Sequence, residues 1–436
     1  MDPDIKLPPG FAVVGIIGPD SVAHRQALRS WTHAVAPGVV ARFAVSLRDR
    51  AEQPWLDSAA APAESDVDFI DCLGQYSGAA VVIIHLFDAW LRHAVARYPF
   101  AHFIGRADSD AIPSPHWLPA MLAAEALRQA RANERSPMVL AGSMQWYNWD
   151  EIAFRPWGWA MGPWNARRRA ISENKNCTMT SSPRCAGPFP FAAGPLLLLS
   201  TPLARWYIRS ESAANAVATA LDSRLNRTSD EIGGGTLSLE AARTRGQFMR
   251  LSEPGDLDVR VFDDVFLGHA LCVGDGGDLT GKGAQGVGGP SNVTVLSFPP
   301  GLFSDFPCNG GERGCRNGLN RFNWTALGAP LLAHRIRKPQ YVPIALELIE
   351  QTPFKPQVFS CKPMQPTKAE VPLTHCLGRN WQWCQIPFTP SKPLQKEAQM
   401  AAAKSQEARN KAHGFRNRLG NGNRGARKGG KRGRGP

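Results

Sequence analysis

Phe103-Ile104-Gly105-Arg106-Ala107-Asp108-Ser109-Asp110 is an apolar run that ends in two acids one residue apart. Residues 101–105 read as a buried strand. Acids just past it stand where open α/β sheets bind ligands, beyond the carboxyl ends of their strands. Ahead of this stretch, 11–17 is a continuous apolar run bounded by glycine, the pattern of a buried parallel strand. Residues 21–35 read as a helix, 42–47 as a second strand, 58–65 as an Ala/Pro/Ser loop and 79–96 as a helix. Behind it, 117–134 is an amphipathic helix with Leu118, Met121, Leu122 and Leu127 near helical spacing, and 138–141 resumes as a strand. Strand and helix signals thus alternate over the first 145 residues, which predicts an α/β domain with a largely parallel sheet flanked by helices.

The remainder is less regular. Residues 211–260 look like an insertion with a break at Gly233-Gly234-Gly235, and 273–320, rich in Gly, Pro and Asn, read as loop-dominated. We divide the chain into a main α/β domain (1–345), a Cys/Pro-rich C-terminal extension (346–394) and a disordered basic tail (395–436). The tail holds 12 Lys/Arg and 2 Glu, so it accounts for +10 of the net charge of +13. The basic balance therefore describes a tail and not the fold. Its Arg/Gly repeats resemble RNA-binding segments, but apart from Phe415 no aromatic residue is interleaved, and a solvated polycation is the preferred reading over a nucleic-acid reader.

Nine cysteines, six of them after residue 270, include no Cys-x-x-Cys pair, which argues against a zinc ribbon. Their position in loop-rich sequence points to disulfides and an oxidising compartment, with buried thiols as the alternative. Cys308 and Cys315, seven apart, are the pair predicted to be joined, and the odd total leaves at least one cysteine unpaired. Sequons at Asn176, Asn226, Asn292 and Asn323 are candidate glycosylation sites and agree with a secretory route. No signal peptide or membrane span is visible in the sequence.

The chemistry sits in three places. Two Asp at i and i+2 leaving a strand can hold a hard divalent ion that bridges diphosphate oxygens. Asp66/Asp68, Asp256/Asp258 and Asp2/Asp4 share the spacing, but only Asp108 and Asp110 follow an apolar strand in the α/β half. A solvated turn before Pro113 would use the same residues. Asp263-Asp264, in an apolar setting, is a candidate base pair, since adjacent carboxylates split their pKa values. Asp264 could equally cap a helix over 265–271. Trp146, Tyr147, Trp149, Trp157, Trp159 and Trp164 cluster without a period, and line either a sugar cleft or a core.

In order, these pieces resemble the β-1,3-galactosyltransferase family (glycosyltransferase family 31). The resemblance is carried by His24-Arg25-Gln26-Ala27-Leu28-Arg29-Ser30-Trp31, Asp68-Phe69-Ile70-Asp71, Ile104 to Asp110, Pro190-Phe191-Ala192-Ala193-Gly194 to Ser200, Phe262 to Gly268, and His334-Arg335-Ile336-Arg337-Lys338-Pro339. It covers roughly residues 11–340 and is nearer to divergent protist or algal members than to animal ones. It implies a GT-A fold, a UDP-sugar donor (UDP-galactose or UDP-N-acetylglucosamine), a glycan acceptor, Mn²⁺ or Mg²⁺, inversion at the anomeric carbon and a Golgi address. On that resemblance Asp108, Asp110 and His334 are metal ligands. Arg25, Arg29, Arg106 and Asp108 face the donor. Asp264, with Asp263, serves as base, and Trp146, Trp149, Phe191 and Gly194 line the acceptor side. Pro195 and Leu196 depart from the family by replacing two glycines. The family is anchored in the membrane at its amino end, so an anchor is expected that this sequence does not show. A catalytically inactive glycan-binding homologue and a nucleic-acid binder acting through the tail are the rival classes.

Overall fold

The computed structural model describes residues 7–18, 22–47, 65–72, 80–132, 137–150, 155–160, 185–211, 213–214, 217–218, 263–273, 290, 292–298, 303–305, 331–336, 338–350, 361–363 and 381–386. All of them belong to one compact unit, Met1–Asp305 with Leu331–Phe388.

Buried apolar runs form the strands. In chain order these are β1 (Ala12–Ile17), β2 (Val39–Ser46), β3 (Val67–Ile70), β4 (Phe103–Asp108), β5 (Ile112–Pro113), β6 (Met138–Asp150), β7 (Arg155–Ala160), β8 (Cys185–Ser200), β9 (Val293–Ser297), β10 (Phe303–Asp305), β11 (Leu332–His334), β12 (Cys361–Pro363) and β13 (Gln382–Gln385). The helices are α1 (Val22–Val35), α2 (Ala80–Arg97), α3 (Trp117–Arg131), α4 (Thr201–Arg209), α5 (Asp263–Val273) and α6 (Val342–Glu350). Among the described residues ten strands form one sheet, ordered β12-β13-β9-β6-β8-β4-β1-β2-β3, with β7 paired to β6. A small second sheet runs β10-β11-β5.

The pairings give β3, β2, β1, β4, β6, β9 and β13 a common direction, with β8 reversed between β4 and β6. The fold is therefore mixed α/β with a mainly parallel central sheet, as the alternation of signals predicts. Helices cover both faces. Ala44 packs with α2, α4 and α5 in one apolar cluster. Its neighbour Phe43 points the other way, as successive strand residues must, and lies under Arg29 of α1 at 5.6 Å.

Two elements differ from the sequence reading. The loop-dominated 273–320 contains β9, a five-residue strand buried throughout between β6 and β13. Its apolar run is short and flanked by Gly and Pro, so composition masks it. The stretch 187–195, bounded by glycine and proline in the way that ordinarily marks a loop, is part of the 16-residue β8. Its loop character survives as an irregularity: β6 pairs Gly142 with Leu197 and Met144 with Ala192, so β8 bulges out over 193–196. The tail from 395 lies outside the described residues, as does the insertion read over 211–260 apart from 211, 213–214 and 217–218.

A tight seam holds α2 to the sheet. Trp90 is fully buried and its Nε1 donates to the Gly105 carbonyl at 2.8 Å. A Cβ at Gly15 would collide with the Trp90 indole, so the glycine lets the ring lie flat on β1. Alongside, Asp68 accepts from Arg42 at 2.7 Å and from the Tyr98 hydroxyl at 2.6 Å. Burial pushes the Asp68 carboxyl up, but these two partners outweigh it and hold the group below its ordinary range.

Gly15→Ala should lower the unfolding free energy by about 1–3 kcal/mol through overpacking, as measured by urea denaturation. Adding Trp90→Phe should recover part of that loss. Equal stability of Gly15→Ala and wild type would show that the seam has slack.

Candidate active site

β4 ends at Asp108, level with Ile17 at the end of β1. The chain then turns sharply, and several contacts fix the turn. Ser109 N donates to the Ile17 carbonyl at 3.2 Å, and Ala111 N to the Asp108 carbonyl at 3.0 Å. His24 Nε2, on α1, donates to the Ser109 carbonyl at 2.9 Å. β5 follows at once and pairs antiparallel with β11, Ala333 opposite Ile112. That register carries His334 back to Asp110. Arg335 then takes φ 65°, a left-handed conformation that costs an L residue about 1–2 kcal/mol. It lies between His334 and Ile336, whose N–H donates to the Asp110 carbonyl at 2.9 Å.

Asp108, Asp110 and His334 thus present ligand atoms within 4.8 Å of one another. His334 Nε2 stands 3.7 Å from Asp110 Oδ1. All three residues are partly exposed. Two carboxylate oxygens and one imidazole nitrogen form a donor set suited to Mn²⁺ or Mg²⁺, and the partial exposure leaves room for oxygens of a bound ligand.

A third acid lies nearby but in a different environment. Asp264 is at the first turn of α5 and is buried. Its Oδ2 accepts from Gly194 N at 2.7 Å, within the β8 bulge, and its Oδ1 accepts from Val265 N at 2.8 Å. α5 can sit this close because residue 268 is glycine: a Cβ there would stand 2.6 Å from Phe191 Cβ and 2.7 Å from the Pro190 carbonyl oxygen. Burial pushes the Asp264 carboxyl above its usual range, against the pull of Arg106 and the two amide bonds, and the nearby Asp108 charge adds to the rise.

Arg106 stands two residues before Asp108 and so projects from the same face of β4. It is 3% exposed, and its Nη1 donates to Asp108 Oδ1 at 2.6 Å. Its guanidinium lies 5.7 Å from the centre of the Phe87 ring.

The other residues singled out in the sequence are placed as follows. Arg25 is buried on α1. Arg29 is bound by both carboxylate oxygens of Asp66 at 2.8 Å, which ties it to the segment entering β3. Trp146 and Phe191 are interior rings, stacked on Trp383 and Tyr147 respectively. Their neighbours in the sheet set this: β6 and β8 are both covered at that point. Asp263 opens α5, and Trp149 lies on β6, but their side chains are outside the described residues. Asn292 is exposed just before β9, while Thr294 of its sequon is buried. Asn176, Asn226, Asn323, Cys308 and Cys315 lie outside the described residues. Cys361 and Cys384 form a disulfide between β12 and β13, Cys272 is also disulfide-bonded, and Cys72 is a buried thiol. Among the described residues no helix is long and apolar enough to cross a membrane. His24 is a site residue that sequence reasoning misses. Its contact joins positions 85 apart, and no local pattern signals it.

No protein-family model matches this chain, and no curated protein matches it. Among solved structures, mannose-1-phosphate geranyltransferase from Thermus thermophilus is similar at a TM-score of 0.24 and 14% identity, over 53% of this chain and 67% of that one. At that level of likeness nothing about the activity of this chain follows from it.

The raised pKa of Asp264 has a measurable consequence. Because its folded value lies above the unfolded one, ionising it opposes folding. Stability present in acid is lost as pH rises from the unfolded carboxylate range, about 4, through the raised folded value. The Asp264→Asn variant has no proton to lose. Its Tm minus that of wild type should therefore grow more positive from about pH 4 upward. Thermal melts across a pH series check this, and a difference that does not change with pH would mean an unshifted carboxyl.

Proposed function

We propose that this chain is a metal-dependent, inverting hexosyltransferase. It moves galactose, or N-acetylglucosamine, from a UDP-sugar to a glycan hydroxyl, with β-1,3 linkage, in the Golgi lumen. One observation carries the reading: a two-carboxylate, one-imidazole cluster at the carboxyl end of a parallel strand, with a buried carboxylate of raised pKa beside it. The compartment and the linkage rest on the family resemblance alone. The disulfide between Cys361 and Cys384 is in keeping with an oxidising compartment.

In this reading Asp108, Asp110 and His334 hold a divalent ion, which supplies positive charge for the oxygens of the leaving diphosphate. Asp264 acts on the acceptor. Its carboxylate takes the proton of the attacking hydroxyl as that oxygen bonds to the anomeric carbon, while the bond to UDP breaks and its electron pair leaves with the diphosphate. Burial raises the Asp264 carboxyl above its ordinary range, which makes it a stronger base than an exposed carboxylate. The bonds from Gly194 N and Val265 N fix where its oxygens point, so the base is held in place before the acceptor arrives.

The deciding experiment measures UDP release with each UDP-sugar in Mn²⁺. Release that depends on both metal and acceptor supports the reading, whereas UDP binding without release from any donor points to a glycan-binding homologue. Asp110→Ala and His334→Ala should each abolish Mn²⁺-dependent UDP binding in calorimetric titration while leaving the circular dichroism spectrum unchanged. Unchanged affinity in both would remove the cluster from the site. Asp264→Asn should cut turnover by roughly 10²–10⁴-fold with UDP affinity close to wild type. Normal turnover in that variant would assign the base elsewhere.

A further inference from the structure

Arg106 is poorly placed to touch a ligand. It is 3% exposed, and its Nη1 is held by Asp108. Burying a guanidinium this deeply is unfavourable unless charged partners compensate it. Two carboxylates of the site are available, on two different elements. Asp108 ends β4, and Asp264 lies in the first turn of α5. The second arm of the fork reaches toward the latter. An ideal Cβ on Gly194 would stand 2.5 Å from Arg106 Nη2 and 3.3 Å from Asp264 Oδ2. The guanidinium and the buried carboxylate therefore converge on the one point that a side chain at 194 would fill. Phe87 backs the guanidinium from the helix side.

We propose that Arg106 is a positioning residue: its planar fork braces Asp108 against Asp264, and the missing side chain at Gly194 is what admits it. The brace fixes the distance between the metal-holding half of the site and the acceptor-activating half. A planar guanidinium can serve two partners in fixed directions, whereas a lysine ammonium is a point charge on a flexible stem and cannot hold both. This explains two local features with one contact. The deeply buried cation is compensated by carboxylates on both sides, and the β8 bulge carries a glycine at the position where Asp264 is also gripped by a backbone N–H. The inference rests on the transferase reading for its effect on turnover but not for its geometry.

The test is a double-variant cycle of Arg106→Lys and Gly194→Ala, read in two ways. In thermal melts, which need no donor, the two losses should overlap: the double variant should melt no lower than the worse single variant, because both act on one contact. In turnover with a UDP-sugar and Mn²⁺, each single variant should lose roughly 10–100-fold in kcat, the range for small misplacements of reacting groups. KM for the donor should change much less, and the double variant should be no worse than either single one. Additive losses in Tm would overturn the brace. Overlapping losses in Tm with wild-type kcat would overturn the positioning role and leave a packing contact. If Gly194→Ala does not fold, the double variant decides: recovery of folded protein supports the brace, and continued failure refutes it. Absence of turnover in wild type would count against the transferase reading alone, since the melts still judge the brace.

Discussion

Strand β8 is hydrogen-bonded on both edges by strands running the opposite way, and the candidate site is built around that constraint. On one side Phe103 to Ala107 of β4 pair with Ser200 to Leu196. On the other, β6 follows β8 until the register breaks at Gly142 and Met144. The pairing with β4 stops at Ala107 and Leu196, one residue before β4 ends at Asp108, and the bulge lies there. One ladder therefore aligns the end of the strand that carries Asp108 with the backbone N–H that grips Asp264. A shift of one residue would turn Arg106 and Asp108 to the opposite face of the sheet.

The site divides its acids by environment. Asp108 and Asp110 remain partly exposed, where a carboxylate can exchange water for a metal ion. Asp264 is buried at a helix start, where desolvation raises its pKa and amide donors limit the rise. Arg106 stands between them, and Asp68 shows the contrast. It is also largely buried, yet direct bonds to Arg42 and Tyr98 outweigh desolvation and hold its pKa down. Asp264 and Asp68 are both hidden from solvent but differ in partners, and their carboxyls shift in opposite directions.

The first half of the fold is legible in the sequence because its strands are uninterrupted apolar runs and its helices have an apolar stripe. β1, β4 and the acids at 108 and 110 follow from that pattern. β8 is obscured by Pro188, Pro190 and Pro195, residues that signal loops and here sit in a long strand with an irregular ladder. β9 is obscured by the Gly/Pro-rich sequence around it. His334 lies far along the chain from Asp110 and is brought there by the β5–β11 register, so only the family resemblance points to it. The convergence of Arg106, Gly194 and Asp264 depends on three separated elements and leaves no local signal. The aromatic residues Trp146 and Phe191 allow both a cleft and a core reading from sequence, and burial places them in the interior.

β9 is flanked by β6, made long before it, and by β13, made long after it. During synthesis its outer edge stays unpaired from the time Ser297 emerges until Gln382 follows. At ribosomal speeds of about 5–20 residues per second this lasts on the order of ten seconds. Through that interval a row of backbone groups on a strand that is buried throughout in the finished fold is open to pairing with another chain. The last short strands, with the disulfide that joins them, therefore act as the closing seal of the sheet. A chain cut short before Trp381 would keep its candidate site and expose an adhesive edge.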